Sequence, residues 1–416
     1  MQHVRNSSIV DISDFLQTPN QSSRIFSDVY VDAVHQKIVE NEHAIESLER
    51  GIEEHARTIR QIQYKIQQHQ VEIRRYKGMI TLAKRLPPEI LASIFEECVK
   101  SGWTKTPLVV SHVCSSWRKA ASIPTVWSHV YVNLDTRDPY NRTRLWLERS
   151  QDALLYINLD IGNENSQLGR IMTLLASKAR RWKEVNIKSV MLHSVNQVLQ
   201  ACGLFTPYLI PISVSIARDF TVANPADADG ELVALCTAFS NAPLLRHLRI
   251  ERDLLPGPNI IPSSITHLSL SISSWLSSTR QSIASTLRLL EEVPLLESLS
   301  IDAPSSQMFE SDVHQGQLVD GPNLKSLILK GSNSLFHLLA YLKASNLLSL
   351  CLRFFLQQNQ ADDTGHWVDI FLERSKPPLA FLEIRDVSLE ISVYDRMLPL
   401  LPFLGVLTVI YMTVPC

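Results

Sequence analysis

The residues that could do chemistry are few and badly placed for it. His112 and Cys114, in "HVC", are the only close histidine–cysteine pair. A Cys–His nucleophile needs a base within hydrogen-bond reach and a third group to orient it, and a metal site needs further ligands at matched spacing. Neither follows here, so the pair reads as helix packing. The loop "NPADADG" (Asn224–Gly230) has an EF-hand flavour, but counting back from Gly230 puts Pro225 at the first ligand position. Glu96–Glu97 reads as a solvated helix face. Thirteen glycines include no G-x-G-x-x-G and no G-x-x-x-x-G-K, and neither H-E-x-x-H nor G-x-S-x-G occurs. The expectation is a chain without catalytic, metal or cofactor residues, whose work is binding.

The elements around these residues fit that expectation. The chain has 416 residues, 45% of them apolar and 20% charged, with a formal net charge of −2. That length suits two or three modules or one elongated array. The near-zero charge gives no field pointing to nucleic acid or membrane. Six cysteines (Cys98, Cys114, Cys202, Cys236, Cys351, Cys416) are scattered without a C-x-x-C pattern, which suits free thiols in a reducing compartment, cytoplasmic or nuclear. The first twenty residues lack the apolar core of a secretory leader. The oiliest window, Leu335–Leu356, is broken by His337, Lys343, Asn346 and Arg353 and reads as buried core rather than a membrane span.

Residues 1–28 have no clear period and read as disordered. A heptad helix is expected over 29–83. With Val31 at position a, the a series is Val31, Ile38, Ile45, Ile52, Ile59, Ile66, Ile73 and Ile80. The d series is Val34, Asn41, Leu48, His55, Ile62, His69 and Tyr76. A spacing of 3.5 held this long signals a coiled coil, because an ordinary helix period drifts away from it. In a parallel pair Lys37 faces Glu42 and Glu72 faces Lys77. A homodimer and a single helix packed elsewhere both remain open. The basic cluster Arg74, Arg75, Lys77, Lys84 and Arg85 reads as a solvated helix end.

At "RLPPEILASIFEECV" the pattern changes. Pro87 drives Leu86 out of the α region and ends the preceding helix, and Pro88 opens a new one in its first turn. Ile90, Leu91, Ile94, Phe95 and Cys98 form one broad apolar stripe, with Ser93, Glu96, Glu97 and Lys100 facing away. "LVVSHVCSSWRKAAS" reads as a second short helix, and "IPTVWSHVYVNL" as a third helical segment bearing Trp127 and then a strand. Val110 and Trp127 read as core. So small a unit needs a partner or a neighbour to stabilise it.

The pattern "LPPEIL..IF" followed by "V.HVCSSWRKAA…P.VW" resembles an F-box over 84–134. With "LWLERS" (Leu145–Ser150) and the preceding heptads, it is similar to F-box proteins of mushroom-forming fungi. The resemblance implies a non-catalytic receptor that docks a Skp-type adaptor, and through it a cullin, in a ubiquitin ligase. It implies adaptor contacts at Leu86, Pro87, Ile90, Leu91, Ile94, Phe95, Val113, Cys114, Trp117 and Arg118. A scaffold assembled by the coiled coil, with no ligase role, is the alternative.

Beyond residue 134 an L-x-x-L-x-L unit recurs. Its middle leucines are Leu248, Leu268, Leu299, Leu327, Leu350, Leu382 and Leu407, spaced 20 to 32 residues apart. Pro243, Pro262, Pro294, Pro322, Pro378 and Pro402 precede six of the seven copies. Weaker copies start at Leu155, Trp182 and Leu209. Strand, turn and helix in alternation predict an α/β leucine-rich-repeat-like solenoid over 135–416 that holds an unknown target protein. A compact α/β domain with short parallel strands is the other reading.

Overall fold

The computed structural model describes residues 28–80, 86–162, 166–216, 235–252, 259–272, 281–303, 309–310, 312–313, 318–354, 364–385 and 391–410. The expected disorder before residue 28 and the loop Asn224–Gly230 lie outside these residues. The chain divides into two compact units, Met1–Arg85 and Leu86–Cys416.

Among its described residues the first unit is one helix, α1 (Asp28–Ile80), of 53 residues. At 1.5 Å per residue it is about 80 Å long. Polar faces are tied by pairs one turn apart, such as Lys37–Glu40 at 2.9 Å and Arg57–Glu53 at 3.4 Å. The seam gains no such support. Ile45, Leu48, Ile52 and Ile59 stand 55–68% exposed.

The second unit is built on an 11-stranded sheet whose strand order follows chain order. Its strands are β1 (His129–Asn133), β2 (Leu155–Ile161), β3 (Trp182–Ser189), β4 (Pro211–Ile216), β5 (His247–Arg252), β6 (His267–Ile272), β7 (Ser298–Asp302), β8 (Ser326–Gly331), β9 (Ser349–Phe354), β10 (Phe381–Arg385) and β11 (Val406–Ile410). All the pairings are parallel. Parallel neighbours need a crossover, and most gaps hold a short helix that supplies one.

Register explains why these strands stack. The seven middle leucines align in one row across β5 to β11. Ile212, Val185, Ile157 and Val130 extend that row to β1. Two residues on, a second row runs from Val132 through Leu159, Ile187, Val214, Ile250, Leu270, Ile301, Leu329 and Leu352 to Ile384 and Val409. Both rows are buried from β1 to β10. Facing them are apolar helix residues such as Ile171 and Leu175, Val195 and Leu199, Leu287 and Leu290, and Phe371 and Leu372, all buried. The oily window 335–356 is divided between a short helix (Asn333–Phe336), a 3₁₀ turn (His337–Tyr341) and β9. Among the described residues no helix is long and apolar enough to cross a membrane.

The prolines set the strand entrances. Leu245, Leu296 and Leu404 each donate their N–H to the carbonyl three residues back, from Ala242, Val293 and Leu401. Pro243, Pro294 and Pro402 thus sit at the second position of a four-residue turn, where a fixed φ suits the chain. Asn323 and Asn346 stitch successive turns together, donating to the carbonyls of Pro294 (2.8 Å) and Pro322 (2.6 Å).

Burial also decides thiol behaviour. Cys202 is fully buried, and its thiol is pushed up to about 12 by that burial. Cys98 and Cys114 are half-buried and free. Alkylation of the native protein is therefore expected to label Cys98 and Cys114 and spare Cys202 until the chain is unfolded, as read by peptide mass spectrometry. Leu327, at 0% exposure in the central row, should cost about 2–5 kcal/mol when changed to alanine. Ile328→Ala, on the half-exposed opposite face of the same strand, should cost clearly less in the same denaturant titration.

Candidate functional site: an apolar helical face beside the first strand

Pro87 is extended (φ −55, ψ 149), and its carbonyl accepts from the N–H groups of Ile90 and Leu91, both at 3.1 Å. Helix α2 (Pro88–Lys100) begins there, with Pro88 supplying the first turn, where a missing N–H costs nothing. Glu89 stands in the first turn and Lys100 in the last, each on the favourable side of the helix dipole. Lys100 also pairs with Glu96 at 3.0 Å, and that hydrogen bond raises its pKa. Gly102, at φ 96, takes the left-handed conformation that ends the helix.

The broad stripe expected on α2 is really two faces. Leu91 (2% exposed), Phe95 (3%) and Val99 (6%) point into the core. Ile90 and Ile94, one turn apart, remain 49% and 45% exposed. Of the residues expected to touch an adaptor, Leu91 and Phe95 therefore hold α2 in place, while Ile90 and Ile94 are presented outward. Cys98 is half-buried and Pro87 is exposed; Leu86 packs partly against the core.

The segment expected as one second helix is broken in two, α3 (Thr106–Ser111) and α4 (Ser115–Ala121). Cys114 is fully extended between them (φ −159, ψ 172). Arg118 bridges the break, its Nε donating to the Ser111 carbonyl at 2.9 Å. Arg118 thus has a structural task besides its exposed position. Val113 is 56% exposed, and Trp117 is half-buried with its ring 5.2 Å from that of Phe95 at 57°. This tilted contact, an arrangement aromatic quadrupoles favour, couples α4 to α2. Val109 (61% exposed) and Trp103 (73%) add apolar surface that the sequence reading did not single out. The available signal for Val109 was its spacing of four from Val113.

Beneath this surface lies Trp127, fully buried on a 3₁₀ turn (Pro124–Trp127). Its Nε1 donates to the Ala121 carbonyl at 2.6 Å, so the buried indole is satisfied. Trp146, on helix α5 (Pro139–Arg149), meets it edge-on at 5.0 Å, and the Arg149 guanidinium lies 4.6 Å over its ring. The chain then runs directly into β1. The boundary drawn at residue 134 therefore falls inside one continuous core.

A second feature begins at the same strand. The sheet face opposite the two apolar rows is polar. Tyr131 donates to Asp160 at 2.9 Å, and Asn186 donates to Asn158 (2.9 Å) and Glu184 (2.8 Å). Farther on, Lys330 pairs with Asp302 at 3.2 Å, while Arg353 (3.0 Å) and Arg385 both hold the buried Glu383. His247 and His267 stand side by side, rings 4.4 Å apart, and burial together with His267 lowers the pKa of His247. At the β1 end, His129 stacks on Tyr156 at 4.4 Å beside a cleft also lined by Lys100, Tyr131, Asn158 and Glu184. Burial lowers the His129 pKa. No group of three or more metal-ligating side chains occurs among the described residues.

A search of curated proteins found no match to this chain. Residues 83–133, a stretch that contains the proline pair, α2 to α4 and β1, match the family model described as F-box-like. The chain thus carries an F-box-like domain, of a kind that generally binds Skp-type adaptors and suggests an adaptor role in ubiquitin ligase complexes.

Proposed function

We propose that this chain is a non-catalytic substrate receptor of a Skp–cullin–F-box ubiquitin ligase, working in the cytoplasm or nucleus. The observation that carries the reading is the apolar surface of the F-box-like domain. Ile90, Ile94 and Val113 are each about half exposed, although the neighbouring Leu91 and Phe95 are fully used by the core. Apolar side chains on a small helical unit suit burial in another protein's groove, and a few such anchors carry most of the energy of an interface.

The polar face of the sheet is the surface we assign to the target protein, and we read its array of strands as an irregular leucine-rich-repeat-like solenoid. Its two ends differ in chemistry. Histidine, tyrosine and asparagine dominate near β1, while near β8 to β10 the charged groups are Lys330, Arg353 and Arg385, each paired with a carboxylate. Such a receptor would act by proximity, raising the effective concentration of target lysines near a separately held conjugating enzyme. Helix α1 would join two receptors, a second copy covering its exposed seam.

Co-purification with a Skp-type adaptor tests the docking reading. Wild type should retain the adaptor, and Ile94→Asp/Val113→Asp should weaken retention by about thirtyfold or more. Both positions are exposed, so an unchanged unfolding midpoint is expected. Phe95→Asp, by contrast, should unfold the domain, because it buries an unpaired charge in the core. Absence of adaptor on the wild-type protein would sink the ligase reading; equal retention by the double variant would move the contact surface elsewhere.

A further inference from the structure

The seam of α1 has a composition that a merely amphipathic helix does not need. Seven isoleucines and one valine fill position a, the β-branched filling that a two-stranded coil takes when leucine stands at d, as Leu48 does. Position d is interrupted by Asn41, His55 and His69. The second copy's orientation decides what these polar side chains meet. In an antiparallel pair a layers meet d layers, so Asn41, His55 and His69 would face isoleucine. In a parallel, in-register pair each meets its own counterpart, polar against polar.

Charge supports the same arrangement. The facing g–e pairs of a parallel dimer are Lys37–Glu42, Ala44–Glu49, Gly51–Ala56, Thr58–Gln63, Lys65–Gln70 and Glu72–Lys77. Two are attractive and none sets like charges together. The whole seam is uncovered along the helix, from Val31 at 41% exposed to Tyr76 at 63%.

We propose that α1 forms a parallel, in-register, two-stranded coiled coil with a second copy of this chain, in which Asn41, His55 and His69 make three self-facing polar layers. The proposal rests on the reading that α1 joins two receptors, and deepens it by fixing orientation and register. Five residues lie between Ile80 and Leu86, so in a parallel pair the F-box-like domains of both copies follow the same end of the coil in chain order.

The histidine layers add a property that register alone creates. His55 would pack against Ile52, His55, Ala56 and Ile59 of the second copy, and on its own helix positions 51, 52, 58 and 59 carry no charge. His69 would pack against Ile66, His69, Gln70 and Ile73 of the second copy. Its own-helix neighbours are Lys65 and Glu72, the latter 3.5 Å away and exposed. No facing carboxylate neutralises either layer across the interface. Protonation sets imidazolium against imidazolium, so the pair binds protons less readily than the separate chains. Linkage then requires pairing to weaken as pH falls.

Three measurements on the full-length protein test this. Light-scattering mass at pH 7.5 should read a dimer; a monomer would overturn the self-pairing reading itself, and a trimer the two-stranded form. Mild oxidation of His69→Cys should yield a disulfide-linked dimer absent from wild type, while Tyr64→Cys, on the outer face, should not. An unlinked His69→Cys, or equal linking of both variants, would leave pairing standing and overturn the parallel register. The dissociation constant should rise about tenfold between pH 7.5 and 5.5, and His55→Leu/His69→Leu should abolish that rise. A wild-type dimer indifferent to this pH change would overturn the self-facing histidine layers.

Discussion

Side chains on a strand alternate between faces, so one slip in register would turn a strand's buried set toward water. Eleven parallel strands can share one core only if every strand enters at the same height. The single row from Val130 through Leu327 to Leu407 meets that condition. Everything else in the second unit follows from it. Proline-led turns start several of the strands at the required point, the asparagines Asn323 and Asn346 hold neighbouring turns together, and the short helices return the chain over the same apolar face.

The same constraint separates the two faces by chemistry. Residues one step from the buried row are mostly polar, serine, histidine, asparagine and charged groups among them, because they stand toward water; Ile328, Cys351 and Phe381 are apolar exceptions. Where a charge does become buried there, as at Glu383, two arginines meet it. Burial without such partners would cost far more than the packing around it returns.

Much of this was legible in the sequence because its signals are periodic. The middle leucines form one structural row, and even the weaker copies starting at Leu155, Trp182 and Leu209 supply β2, β3 and β4. The proline pair was equally readable, since ring geometry fixes where one helix ends and the next begins. What was not readable was partition. A stripe of five apolar residues on α2 does not say that Leu91 and Phe95 belong to the core and Ile90 and Ile94 to the surface; that depends on where Trp117 and Trp127 pack. Likewise the break at Cys114 is held by Arg118 reaching the Ser111 carbonyl, a contact that periodicity cannot reveal. The fate of β1 depended on a long-range pairing with β2.

That last strand has a mechanical meaning. His129–Asn133 closes the F-box-like domain and is also the edge strand of the sheet, pinned to β2 along its length. Between the apolar helical face and the polar sheet face there is thus no tether to flex, only shared core around Trp127, Trp146 and Val130. On the proposed reading, a target on the sheet would be held at a fixed bearing from the adaptor, like work clamped on a lathe. Which of its lysines are reachable would be set by shape instead of by the random search of a linker. Lengthening the chain between Trp127 and His129 would then do more than loosen a joint: it would pull the first strand out of register.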